Sequence, residues 1–241
     1  MAIREPASLG RLRADKHLTL HSLYAIRLWE GRLAADNVHG IFGLTGFVGM
    51  LNRIYRDASH DDPYADAWLL RVQAKLDATR NTLLLLRAQL NQALAQTPAA
   101  LSLGDNLNQQ PVQIPVTVSA PMGFLALFLL ADYDELARRA VLAQHTALID
   151  APTLEHWLEQ GGHQLRSLFS LVQPYRSSGI CRSDCLAQNA KALRAREQFG
   201  ELEQAILDGQ LRARHAPKIR AAAPITDPGA GPDPDNEEPC I

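Results

Sequence analysis

The 241 residues are 46% hydrophobic and 21% charged, enough apolar material for one sizeable core or two small ones. The formal charge of −2 does not mark a polyanion-binding protein; residues 221–241 hold five acids and no Lys or Arg, leaving 24 basic and 21 acidic side chains elsewhere. Three cysteines make no disulfide framework in a chain of this length, and no apolar run reaches a membrane span or the core of a secretion signal, so a cytoplasmic protein away from the membrane is expected.

Residues 1–16 carry Arg4, Arg11, Arg13 and Lys16 and read as a flexible basic terminus. His17-Leu18-Thr19-Leu20-His21 alternates in the two-residue period of a short strand. A helix over 22–32 follows, with Trp29 expected inside. The glycines from Gly40 to Gly49 lack the Gly-Lys-Ser/Thr of a phosphate loop and the βαβ setting of a dinucleotide fingerprint, so they read as a close-packed turn into a helix over 47–56.

Asp61-Asp62-Pro63 supplies a cap and a first-turn proline for a long helix over about 63–97. Its apolar positions, Leu69, Val72, Leu76, Thr79, Leu83, Leu86, Leu90 and Ala93, alternate three and four apart as a heptad does. A hairpin within one chain and a seam between two chains both satisfy that pattern. Residues 83–86 widen the stripe and predict more than one neighbour, while Arg71, Lys75, Arg80 and Arg87 form a mildly basic outer face. A polar connection over 101–111 leads onward, completing a helical scaffold over 17–110.

Val112, Ile114, Val116 and Val118 alternate with Gln113, Pro115, Thr117 and Ser119, which predicts a strand with one buried face. Pro121 then opens a helix that is apolar nearly all round to residue 131. Asp132-Tyr133-Asp134 reads as a polar corner whose aspartates cap a second helix, with Arg138 and Arg139 on that helix's outer side. Over 150–220 the chain is again helical, interrupted at Gly161-Gly162, where a kink is expected. Residues 175–220 hold nine Lys or Arg against five acids, a surplus that suits either a phosphate-contacting arm or a solvated helical face. Residues 221–241, rich in Pro, Gly and acid, read as a disordered tail.

No nucleophile elbow, zinc-protease helix or paired Cys motif occurs, and Cys181 and Cys185 lack a second pair at metal spacing. Neither an enzyme nor a metal or other cofactor is expected.

Four segments carry a resemblance to a known family: Leu20-His21 with the run from Ile26 to Arg32; Asp61-Asp62-Pro63-Tyr64-Ala65-Asp66; the run from Leu129 to Arg139; and His145-Thr146-Ala147-Leu148-Ile149. In order and spacing they resemble the AcaB-like transcriptional regulators of integrating conjugative elements and conjugative plasmids, over residues from about 9 to 220. The resemblance implies a homodimer that binds double-stranded DNA, mainly helical, with a ribbon-helix-helix core embedded in a larger helical domain. Residues 111–149 are the first candidate for that core. There Gln113, Thr117 and Ser119 would read base edges in the major groove, Arg138 and Arg139 would add contacts, and residues 133–136 would meet a phosphate. Pro115 fits such a ribbon only where its missing donor faces away from the partner strand. The strand over 17–21, with the two helices after it, is the second candidate. A reading from a different class is an accessory or scaffolding protein of conjugative transfer, binding protein partners through the long helix and the apolar surface of 122–131.

Overall fold

A computed structural model describes residues 15–32 and 40–220. The expected acidic tail and all but two residues of the expected basic terminus lie outside the described residues. In chain order the elements are β1 (His17–Leu20), α1 (Leu23–Glu30), β2 (Gly31–Arg32), β3 (Ile41–Phe42), α2 (Leu44–Ser59), α3 (Pro63–Leu94), β4 (Val112–Pro115), α4 (Pro121–His145), α5 (Ala151–Leu171), α6 (Arg182–Leu186), α7 (Ala190–Phe199) and α8 (Gln204–Leu207). The chain is thus mainly helical with two small antiparallel sheets, β1 with β4 and β2 with β3.

The long helix α3 starts where Asp62 accepts from the N–H groups of Tyr64 and Ala65, with Pro63 at its first position. Its stripe from Leu69 through Leu90 is buried at every heptad position. Helices α2, α4 and α5 of the same chain pack against α3 and α4 packs on α5, so the stripe is filled internally and is not a seam between chains. Leu84 and Leu85 are 51% and 67% exposed, so the wider stripe expected over 83–86 narrows to Leu83 and Leu86. The basic outer face is partly engaged. Arg71 lies over the Trp68 ring, Lys75 donates to Gln164, and Arg87 stands 3.7 Å from Glu135.

The polar corner expected at 132–134 is absent, because α4 runs unbroken from Pro121 to His145. Each residue of the triplet finds a place on a continuous helix: Asp132 faces solvent, and Tyr133 enters the core and donates to the Leu158 carbonyl at 2.8 Å. Asp134 is buried and caps no helix directly; it holds Ser22, the residue whose hydroxyl oxygen accepts from the Ala25 N–H at the start of α1, more than a hundred residues earlier. Its carboxylate accepts from the N–H of His21 (3.0 Å), the N–H of Ser22 (2.8 Å) and the Ser22 hydroxyl (2.6 Å). Residues 133–136 therefore lie inside a helix, where their N–H groups are spent on the ladder and offer no anion site.

The glycine pair does not interrupt α5 either, which runs as one helix from Ala151 to Leu171. A Cβ on Gly161 would come within 2.8 Å of the Tyr133 ring, so the missing side chain is what lets α4 and α5 approach. The turn at Gly43 is close-packed for a similar reason: a Cβ there would stand 2.3 Å from the Trp29 carbonyl.

Behind α3, a latch holds the chain's last described part. The buried Arg182 guanidinium bonds Asp61 (2.5 Å), Asp66 (2.7 Å) and the Ile206 carbonyl (2.9 Å). Arg212 grips the same fully buried Asp66 through two nitrogens, at 2.8 and 3.0 Å. No helix of the described residues is long and apolar enough to cross a membrane.

Removing the Asp134 carboxylate leaves the buried Ser22 donors unpaired and frees the residue that caps α1, so Asp134→Ala is expected to lower unfolding free energy by about 3 kcal/mol. Urea titration followed by circular dichroism measures this, and a loss under about 1 kcal/mol would mean that these hydrogen bonds are not structural. A second expectation concerns alkali. Burial raises the Tyr133 and Tyr175 phenols above the ordinary 10.0, in Tyr175 with help from its hydrogen bond to Asp57, and pushes Tyr55 to about 12. The native state then holds protons that the unfolded chain releases, so stability falls as pH rises above 10. In a Tyr24→Phe variant, which lacks the exposed phenol, tyrosinate absorbance at 295 nm and loss of helical signal should rise together in that window; the phenols of Tyr55, Tyr133 and Tyr175 ionising on an intact helical spectrum would contradict it.

Candidate nucleic-acid interface

The two strands that the sequence offers as alternative ribbons pair with each other. β1 and β4 are antiparallel, with His17 opposite Pro115, Leu18 opposite Ile114, Thr19 opposite Gln113 and Leu20 opposite Val112. Alternation puts Leu18 and Leu20 into the core and leaves His17, Thr19 and Gln113 exposed on one face. The ladder continues one step past β4, where the Val116 N–H donates to the Lys16 carbonyl at 2.8 Å. Since Val116 points its N–H toward β1, Pro115 directs its nitrogen to the outer edge of β4. The proline therefore costs the pair no hydrogen bond, and it blunts that outer edge against further strands.

The strand expected over 112–119 ends at Pro115. After the one further bond at Val116 the stretch is not strand, though Val116 and Val118 stay half-buried and Thr117 and Ser119 exposed. A Cβ on Gly123 would lie 2.7 Å from Val118, so this stretch is packed down onto the start of α4. Val112, expected on the buried face, is 42% exposed at the end of the ribbon.

Of the five residues singled out as DNA contacts, Gln113 sits on the exposed ribbon face, opposite Thr19. Thr117 is exposed just past the strand. Ser119 is committed to α2, donating to the Asn52 side chain at 3.2 Å. The two arginines lie on α4. Arg139 bonds Glu135 and Asn91, while Arg138 is half-buried, its carbonyl accepting from Asn106 and its Nη1 buried without a hydrogen-bond partner. The basic stretch after Tyr175 is likewise partly spent: Arg182 and Arg212 close the latch and Arg196 pairs with Glu201. Lys191, Arg194, Arg214, Lys218 and Arg220 remain exposed.

The segment before β4 braces the ribbon's other end. The Asn108 N–H donates to His21 Nδ1 at 3.2 Å, so that ring presents its second nitrogen outward. Lys16 lies over the Phe124 ring, 5.7 Å from its centre, and ties the start of β1 to α4. Sequence reasoning weighed 17–21 and 112–119 as rivals; it had no signal that Thr19 and Gln113, almost a hundred residues apart, share one face. Among the described residues no three His, Cys, Asp or Glu side chains converge to hold a metal.

Chemically the ribbon face is a short polar strip offering an amide, a hydroxyl with its methyl group and an imidazole. Glutamine makes paired hydrogen bonds with adenine, and threonine meets a base edge through either group.

A family model for transcriptional regulator AcaB matches residues 8–220. Among solved structures, the crystal structure of selenomethionine-containing AcaB from uropathogenic E. coli resembles the chain with a TM-score of 0.53. The two are 15% identical, and the match covers 81% of this chain and 95% of the other, a likeness of fold. No curated protein matches the chain.

Proposed function

The chain belongs to the AcaB family of transcriptional regulators, and on that premise we propose that it binds duplex DNA sequence-specifically through the polar face of β1 and β4. It acts as a cytoplasmic homodimer on genes of a conjugative element. The observation that carries this reading is the ribbon itself: two antiparallel strands with an apolar face in the core and His17, Thr19 and Gln113 turned outward. The major groove admits a two-stranded ribbon, and side chains on its outer face reach base edges.

The strand edges support the dimer. Pro115 blunts the outer edge of β4, whereas β1 pairs with β4 alone among the described residues. We place the twofold axis beside β1, so that β1 meets its copy and the two β4 strands flank the pair. The order strand, helix, helix is met at β1, α1 and α2, with β2 and β3 set between the helices. That supports a ribbon-helix-helix arrangement centred on β1, with Gln113 and Thr117 at its flanks. Phosphate affinity is assigned to Lys16 and the exposed basic residues after Tyr175.

One observation favours a second reading. Leu125 and Phe128 are 37% and 57% exposed on α4, an apolar patch that suits a protein partner of the transfer machinery.

Binding of the full chain to duplexes tiling its element's promoters, across several salt concentrations, separates the two. A specific site whose affinity falls with salt supports the regulator. Thr19→Ala and Gln113→Ala should each then narrow the preference for that site by about 1–3 kcal/mol, leaving nonspecific binding intact. Equal, weak binding to every duplex would favour the protein partner. The dimer has its own readout: sedimentation of Thr19→Pro should show a monomer with unchanged helical content, and a persistent dimer would rule out the β1 edge.

A further inference from the structure

We propose that the cleft enclosed by α1, the β2–β3 pair and α5 is a binding site for a small amphipathic organic anion, an apolar body carrying a carboxylate. The cleft holds about 830 Å³, within the range of small-molecule pockets. Its apolar wall comes from Leu28 and Leu158, both nearly fully buried, with Phe42 and Leu154. A surface of that kind takes a hydrocarbon or aromatic body by excluding water.

The polar groups specify the head. Arg27 from α1 and Arg166 from α5 line the cleft with Arg32 from β2 and with Glu155 and Glu159 of α5. Among the described residues, neither Arg27 nor Arg166 has a carboxylate within 4.0 Å or a side-chain hydrogen bond to the protein, and the two glutamates of the same wall stand beyond that distance. Two guanidinium forks thus keep their donors for something else, and such forks match carboxylate geometry.

Arg166 is also positioned rather than merely present. A Cβ on Gly162 would come 3.0 Å from Arg166 Nη1 and 3.1 Å from Tyr133 Oη, so the bare backbone of Gly162 is what lets the guanidinium lie against the helix beside that hydroxyl. The Tyr133 hydroxyl donates to Leu158, which leaves its oxygen as an acceptor only. Tyr133 borders the cleft, and Asp134, next in the chain, holds His21 and Ser22 between β1 and α1. The site therefore adjoins the joint that fixes the ribbon, although binding there does not depend on the DNA reading.

The test uses the full chain and 8-anilinonaphthalene-1-sulfonate, an aromatic sulfonate whose fluorescence rises on entering an apolar site. Octanoate should displace it, and octanamide, with a chain of the same length and no charge, should be at least about tenfold weaker, the loss expected of one charge-assisted hydrogen bond. Arg166→Gln and Arg27→Gln should each weaken octanoate about tenfold while leaving octanamide unchanged, which also serves as the check that the fold survives. Leu154→Trp, which fills the cleft with both arginines in place, should abolish displacement. Equal competition by octanoate and octanamide, or unaltered octanoate binding in both arginine variants, would overturn the proposal.

Discussion

A buried carboxylate ties the β1–α1 connection to α4. Asp134 projects from the middle of α4 and accepts three hydrogen bonds from the two residues that connect β1 to α1. Without it, the N–H groups of His21 and Ser22 and the Ser22 hydroxyl would lose their acceptor where the chain turns into α1, and β1 would have only its ladder with β4 and its two leucines to hold it. Because the contact is polar and directional, it fixes where the strand ends and the helix begins. Apolar packing around it is less particular about register. The exposed face of the ribbon inherits that precision, since one residue of slip would exchange His17 and Thr19 for the leucines between them.

Helix α3 supplies the rigid support for this arrangement. Its heptad positions sink into α2, α4 and α5, and its N-terminal end anchors the later part of the chain through Asp66. A fully buried aspartate gripped by two arginines is costly to desolvate, and its stabilising value over an apolar replacement is small. Its geometric value is larger, because two guanidiniums and a carbonyl leave the segment around α6 and α8 few alternative seats. The same ion pairs remove Arg182 and Arg212 from the surface, which halves the basic surplus that the stretch after Tyr175 offers to a phosphate backbone.

Tyr133 and the α5 glycines form the complementary contact on the far side of α4. The ring occupies the space that side chains on Gly161 and Gly162 would fill, and its hydroxyl bonds the backbone one turn earlier in α5. Two consecutive residues of α4 thus serve two different neighbours: Tyr133 sets the distance to α5 and Asp134 the attachment of α1. The cleft beside Arg166 is a consequence of the first contact, and the position of the ribbon is a consequence of the second.

The sequence alone determined the elements whose signals are local. The heptad spacing from Leu69 to Leu90, the Asp62-Pro63 start of α3, Pro121 at the start of α4 and the alternation in β1 depend on neighbours within a few residues. The segments from Leu20 to Ile149 likewise carry the AcaB resemblance in their order and spacing alone. What the tertiary structure decided is everything in which one residue answers a distant one. Asp132-Tyr133-Asp134 has the composition of a corner, and Gly161-Gly162 that of a kink. Each lies within an unbroken helix because the partner that satisfies it sits on another element. The choice between two ribbon strands was unanswerable from spacing for the same reason: hydrogen bonds between β1 and β4 span almost a hundred residues, and a one-dimensional pattern carries no trace of them.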